Sequence, residues 1–199
     1  TKTFGSAYYD AGRAVQQTSD GGYIIAGSKF RDAYLIKTNS VGDTLWTKSY
    51  DYFCSSCGWF CDDVQQTTDG GYVIAGRFDV MAELSSFLAK TDSYGNALWV
   101  KTDYPGGRSN SISSVQQTLD GGYILANGYS IIKTDSNGDT LWTRSYINPS
   151  GDSSYYSNAV QQTIDGCYII CGYGYLINSS FISLIKTDSF GNKLWTKTY

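Results

Sequence analysis

Short runs rich in β-branched and aromatic residues, bounded by turn residues, mark β-strands along the chain, and no segment carries helical periodicity. In one such stretch Tyr23 and Ile25 point to one face while Ile24 and Ala26 point to the other, so both faces are apolar. The pattern predicts four successive strands, Ala14 to Thr18, Gly22 to Gly27, Tyr34 to Thr38 and Thr44 to Tyr50, rich in β-branched and aromatic residues. Asp20-Gly21-Gly22 supplies the positive φ angles of a short hairpin, and its Asp can bond the backbone two residues on. A sheet apolar on both sides needs a neighbour on each.

The chain supplies such neighbours by repetition. VQQTSDGGYIIAG at 15–27 returns as VQQTTDGGYVIAG, VQQTLDGGYILAN and VQQTIDGCYIICG, with Val15, Val64, Val115 and Val160 lying 49, 51 and 45 residues apart. A second string follows each copy: LIKTNSVGDTLWTKSY, LAKTDSYGNALWVKTD, IIKTDSNGDTLWTRSY and LIKTDSFGNKLWTKTY. Periods near 45 to 50 match propeller blades and exceed the shorter helical and leucine-rich repeats. The expectation is therefore an all-β chain of four tandem four-stranded antiparallel units, a small four-bladed β-propeller, with Trp46, Trp99, Trp142 and Trp195 docking adjacent blades. The units span approximately 13–50, 62–103, 113–146 and 158–199 of a single repeat domain covering 1–199. Residues 1–4 repeat the tail of a fourth strand. Parity places the variable segments, 28–33, 78–86, 128–130 and 173–180 with the crossovers between units, at one end of the sheets as loops.

Composition narrows the chemistry. With 41% hydrophobic and 16% aromatic residues against 17% charged, the chain folds. A net charge of −3 with dispersed Lys and Arg argues against nucleic acid as a partner, and no apolar run is long enough for a membrane helix. The sequence holds no His and one Glu, Glu83, which depletes the usual acid–base kit and points away from an enzyme. No cofactor is expected. Without an initiator Met the chain reads as a processed or excised product.

The strings QTxDGGYIIAG and LIKTDSxGDTLWTKTY resemble the propeller-type repeats of secreted and cell-surface bacterial proteins, and the likeness covers nearly the whole chain. Locally, the turn and Trp of Asp135-Ser136-Asn137-Gly138-Asp139-Thr140-Leu141-Trp142 are similar to the docking motif of quinoprotein propellers. The resemblance implies an extracellular or cell-surface location and a propeller fold, and no particular chemistry. The functional expectation is a non-catalytic structural, assembly or surface-binding module, a fibre subunit among the options, with partners in self-association or other surface proteins. A glycan-binding module is the alternative.

Candidate sites follow from residue types. Tyr52, Phe53, Trp59, Tyr104, Tyr155, Tyr156, Tyr173 and Tyr175 stand among Ser, Asn and Gly on the variable segments, a mix suited to glycan or protein recognition. Cys54, Cys57 and Cys61 have a spacing compatible with a metal, while an oxidising compartment favours a disulfide within the loop. Cys167 and Cys171, also disulfide candidates, lie four strand residues apart, about 13 Å and too far to pair with each other. Asp135 to Asp139 mimics part of a calcium loop, but its equivalents place Val41, Tyr94 and Phe190 at the centre, so a plain turn and no metal are expected. Lys37, Lys90, Lys133 and Lys186, recurring with Gln16, Gln65, Gln116 and Gln161, read as paired groups between blades, with an axial ligand site as the alternative.

Overall fold

The computed structural model describes residues 2–4, 9–51, 58–80, 83–105, 111–146, 155–176 and 179–199. Strands β1 (Asp10–Gln17), β2 (Tyr23–Lys29), β3 (Asp32–Thr38) and β4 (Thr44–Tyr50) form the first blade. The second contains β5 (Gly58–Gln66), β6 (Tyr72–Val80), β7 (Glu83–Thr91) and β8 (Ala97–Thr102). The third contains β9 (Ile112–Gln117), β10 (Tyr123–Asn127), β11 (Ser130–Thr134) and β12 (Thr140–Ser145), and the fourth β13 (Tyr155–Gln162), β14 (Tyr168–Leu176), β15 (Ser179–Thr187) and β16 (Lys193–Thr198). Each sheet runs in simple up-and-down order, and among the described residues there is no helix. Residues Thr1–Asp103 and Tyr104–Tyr199 form two compact units of two blades each.

Among the described residues the expected variable loops 28–33, 78–86 and 173–180 are largely strand, while 128–130 is a tight turn at Gly128 and Tyr129. β2 and β3 remain paired out to Lys29 and Asp32, leaving Phe30 and Arg31 as the turn, and β14 pairs β15 out to Leu176 and Ser179. Phe30 reverses the chain at φ 58°, a conformation that sequence rules reserve for Gly or Asn and hence do not signal. Length variation between blades is variation in ladder length.

Two bulges recur. Arg13, Asp62 and Asn158 are inserted opposite the partner ladder in β1, β5 and β13, with the corresponding shift at Ser113 in β9. The carbonyl displaced by the bulge fills the side-chain space of the facing residue: a Cβ on Gly27, Gly76 or Gly172 would lie 1.8–1.9 Å from it. The second bulge inserts one residue of each fourth strand after the turn, Leu45 in β4 and Leu194 in β16, and turns that leucine outward.

Within each unit the core lies between blades. In the first, Ile24, Ala26, Leu35 and Tyr50 meet Trp59, Val64, Tyr72, Ile74, Phe87 and Ala89. In the second, Ile124, Ala126, Ile131 and Tyr146 meet Tyr155, Val160, Tyr168, Ile170 and Ile185. Each blade thus finds cover on the face that it turns to its neighbour within the unit.

Candidate functional site

The repeated polar groups are committed to the fold. Lys37, buried, donates to the Thr38 carbonyl at 2.8 Å and pairs with Asp20 at 2.9 Å. The same Asp accepts from the Thr18 hydroxyl at 2.6 Å and the Gly22 N–H at 2.9 Å. Lys90 with Asp69 and Lys133 with Asp120 repeat the arrangement. The Lys37 hydrogen bond, followed by that of Thr18, holds the Asp20 carboxyl well below its usual range. Partial burial opposes ionisation of Asp69, but bonds from Thr67, Lys90 and the Gly71 N–H prevail and hold it at about 2. The glutamines bridge blades: Gln16 accepts from the Gln66 N–H at 2.6 Å, and Gln66 accepts from the Ser19 N–H at 2.8 Å. Gln116 and Gln162 repeat this in the second unit. Asp135 Oδ1 accepts from the N–H groups of Asn137 and Asp139, each at 2.9 Å, which closes the turn.

Blade docking has a fixed chemistry. Trp46 meets Tyr72 edge-on at 5.9 Å and 64°, and Trp142 meets Tyr168 with identical values. The Trp ring also covers the turn glycine of the following blade, where a Cβ on Gly95 or Gly191 would fall 2.8–2.9 Å from it. Two residues beyond, Lys48 reaches Asn96 at 2.9 Å. The strand ends at Tyr50, whose hydroxyl donates to the Gly95 carbonyl at 2.8 Å, as Tyr146 does to Gly191 at 3.0 Å. Burial pushes Tyr72 and Tyr168 up to about 12.

Two blade faces carry this chemistry exposed. Val15 is 67% accessible where Val64 is 4%, and Tyr23 is 36% accessible where Tyr72 is 1%. On the fourth blade Trp195 is 40% accessible and Tyr199 71%, against 4% for Tyr50. Cys171 is exposed at the position where Ala26, Ala75 and Ala126 are buried, and Ile182 is exposed where Ala33 is buried. Trp195 keeps Lys197 over its ring at 5.8 Å.

A second surface lies in the second unit. Tyr129, Tyr156, Tyr173 and Tyr175 form a chain of rings with centroids 5.4, 5.1 and 5.3 Å apart. Tyr156 and Tyr173 are stacked and Tyr175 projects into solvent. Burial raises Tyr173 above its ordinary range, followed by the neighbouring Tyr175. Tyr173, Tyr175, Ser180, Phe181 and Tyr199 line a shallow groove beside it.

Of the aromatic residues expected on a recognition surface, Tyr156, Tyr173 and Tyr175 come together there. Three others do not serve it. Trp59 is buried, stacked on Phe78 at 4.4 Å, because the segment expected as a crossover loop begins β5. Tyr104 is buried and donates to the Gly138 carbonyl, taking the docking role of Tyr50. Tyr155 is buried against Phe181 at 5.7 Å. Tyr52, Phe53, Cys54 and Cys57 lie outside the described residues. Cys61 is a free thiol enclosed in the first core, its pKa raised by burial. Cys167 and Cys171 are free thiols as well. Of the expected docking tryptophans, Trp46 and Trp142 dock within their units. The recognition reading missed Tyr129, whose hairpin position after Gly128 gives no local sign of an aromatic neighbour. It also missed Asp62, held by Arg13 at 3.3 Å and Arg77 at 2.7 Å.

No family model matches the chain, and no curated protein matches it. Among solved structures it is similar to a protein of unknown function from Bacteroides caccae, at 11% identity and TM-score 0.57, covering 96% of this chain and 82% of that one. A member of the DUF4221 family from Bacteroides vulgatus aligns at 12% identity and TM-score 0.48 over 92% of this chain and 66% of that one. The first likeness is one of fold, and it agrees with the small four-bladed β-propeller that the repeats predict.

Proposed function

We propose that the chain is a non-catalytic extracellular module that works by assembly, presenting blade faces to further copies of itself or to other surface proteins. The observation that carries this reading is the pair of exposed faces described above. Val15 and Tyr23 on one blade, and Cys171, Ile182, Trp195 and Tyr199 on another, are residues whose equivalents are interblade core. Exposed apolar surface at positions of this kind marks a site of association. Contacts of unlike faces that do not close propagate into filaments. Sedimentation equilibrium across a wide concentration range, with electron microscopy of the associated fraction, tests the reading. Concentration-dependent assembly is expected, and a chain that remains monomeric at high concentration refutes it.

The tyrosine chain favours a second reading, glycan binding. Aromatic rings with a projecting face suit sugar stacking, and Tyr175 offers one beside Ser180. Stacking of Tyr156 on Tyr173 consumes one face of each ring, which leaves Tyr175 as the main platform. Saccharide binding that weakens at least about tenfold in Tyr175→Ala, the loss of roughly one stacking contact, is expected of this reading. A glycan array without hits removes it.

A further inference from the structure

An asparagine followed by glycine is a reactive pair, because the glycine nitrogen, unhindered by a side chain, can close a succinimide ring on the asparagine carboxamide carbon. The chain holds two such pairs, Asn127-Gly128 and Asn137-Gly138, and four related ones, Asp20-Gly21, Asp69-Gly70, Asp120-Gly121 and Asp165-Gly166. Ring closure needs an uncharged carbonyl group, a backbone free to rotate and water to finish the reaction. The fold withholds at least one of these from every pair but Asn137-Gly138.

The four aspartates are kept as carboxylates, each paired with a lysine and accepting from a nearby Thr hydroxyl. A carboxylate carbon is a poor electrophile. Asn127 ends β10, where ladder pairing to Ile112 and Ser130 fixes its backbone. It is fully buried, and its carboxamide donates to the Tyr104 carbonyl at 3.2 Å. Asn137 differs on each count. It is exposed at the tip of the β11–β12 turn, and its carboxamide makes no hydrogen bond among the described residues. Its equivalents Val41, Tyr94 and Phe190 are 70%, 70% and 68% accessible, so exposure belongs to the turn itself in every blade. Gly138 sits at φ 81°, and its N–H reaches the Asp135 carbonyl at 3.2 Å, against 2.8–2.9 Å for the glycines of the Asp-Gly turns.

We propose that Asn137 is a self-modification site, converted to isoaspartate by the backbone nitrogen of Gly138 with water as the only other reactant. The Gly138 nitrogen gives its proton to solvent and bonds to Asn137 Cγ. The Cγ–Nδ2 bond breaks, and the amide nitrogen takes a proton from solvent and leaves as ammonia. Water then adds to the main-chain carbonyl carbon of Asn137 and breaks its bond to the Gly138 nitrogen. That carbonyl becomes a carboxylate, and the chain runs on through Cβ and Cγ. Water adding at Cγ instead gives ordinary aspartate. Val41, Tyr94 and Phe190 have no group that can close the ring, so one turn of the four carries this chemistry.

The consequence falls on blade docking. The Gly138 carbonyl accepts the Tyr104 hydroxyl at 2.5 Å within the same compact unit, and burial keeps that phenol protonated. Isoaspartate lengthens the chain by one carbon immediately before Gly138 and adds a negative charge beside Asp135 and Asp139. The carbonyl moves out of reach, and the turn loses the bond that Tyr50 makes to Gly95 in the first unit. Asn137 is thus a clock that loosens a single docking turn.

The test is incubation of the folded chain in mildly alkaline, ammonia-free buffer, followed by peptide mapping with electron-transfer mass spectrometry, which separates isoaspartate from aspartate. Isoaspartate is expected at position 137 at least about tenfold faster than at 127, which reacts only in molecules that have opened locally. In concentrated urea the two sites should react at similar rates, and Asn137→Gln should remove the reaction at 137 alone. Equal rates at both sites in the folded chain, or an Asn137 that reacts only in urea, overturn the site. The aged fraction, enriched on an anion exchanger by its added charge, is expected to have a folding equilibrium about fivefold less favourable, the worth of one hydrogen bond. Asn137→Asp, which adds the charge without the extra carbon, should hold its urea midpoint. Ageing that leaves the midpoint unchanged, that lowers it equally in Tyr104→Phe, or that Asn137→Asp reproduces in full overturns the release of Tyr104 and leaves the site standing.

Discussion

At the residue scale the most informative position is the one after each Asp-Gly turn. Gly22, Gly71 and Gly122 leave only 2.1–2.2 Å between a Cβ and the carbonyl of the facing Thr, so any side chain must push the hairpin open. The fourth blade carries Cys167 there. Its lysine, Lys186, donates to the Thr163 hydroxyl at 2.6 Å and to Asp165 at 3.2 Å, and it is more exposed than Lys37, Lys90 or Lys133. Cys167→Gly is therefore expected to restore the carbonyl bond. A charged hydrogen bond contributes about 1.5–3 kcal/mol, against about 1 kcal/mol for the added freedom of Gly in the unfolded chain, so a net gain near 1 kcal/mol should appear as a higher urea midpoint. The reverse change, Gly71→Cys, should lower it by at least as much.

The same turns set the acid limit. The carboxyls of Asp20, Asp69, Asp120 and Asp165 are all depressed in the fold, that of Asp69 to about 2. A depressed carboxyl contributes stability above its unfolded value, about 3.9, and loses it as pH falls through the folded value. The melting temperature should hold down to about pH 4 and then drop towards pH 2. Asp69→Asn should start lower and fall less steeply over that interval. An unchanged slope in the variant would show that the ion pair contributes nothing to the acid transition.

At the scale of elements, what the sequence made legible was whatever repeats. The four strands, the Asp-Gly turns and the Trp docking residues recur with little change, and Trp46 and Trp142 meet their tyrosines as the wedge argument requires. What escaped notice was set by partners across the sheet. The bulge at Arg13, Asp62 and Asn158 has no residue signature of its own; its trace is Gly27, Gly76 and Gly172, small because a displaced carbonyl fills their space. Trp59 reads as a loop aromatic from its neighbours Gly58 and Cys57, yet the β5 ladder extends through it and buries it. Among the recognition residues, Tyr156, Tyr173 and Tyr175 were visible as aromatics among Ser, Asn and Gly on the variable segments, and the β13–β14 ladder sets Tyr156 opposite Tyr173. Tyr129 reaches them only through the packing of the third blade on the fourth.

Docking between blades rests on few polar bonds, which makes them testable singly. Tyr146→Phe removes the donor to the buried Gly191 carbonyl while preserving ring packing. A loss of about 1 kcal/mol is expected, the usual net value of one such bond, measured as a shift in denaturant midpoint without change in slope. Phe4 offers the natural precedent for that substitution, at a position where the ring lies half-exposed rather than buried.

At the scale of the whole molecule, four copies of one blade do four different jobs because their surroundings differ. Ala26 and Cys171 occupy equivalent positions, one fully buried and the other exposed. A charge at the first must be desolvated inside the core, at a cost of several kcal/mol, and Ala26→Asp should lose cooperative unfolding or melt far lower. A charge at the second stays in water, so Cys171→Asp should leave the melting temperature of dilute chain nearly unchanged, within about 0.5 kcal/mol. Assembly reverses the comparison. Cys171 lies on an exposed face proposed for association, and Cys171→Asp should weaken association at concentrations where the unaltered chain assembles. Alkylation reports the same event without a mutation: Cys171 should react readily in dilute chain and become protected on assembly, while buried Cys61 stays unreactive in both. If Cys171→Asp instead destabilises the dilute chain as strongly as Ala26→Asp, that face is covered within a single copy, and assembly must be sought elsewhere on the surface.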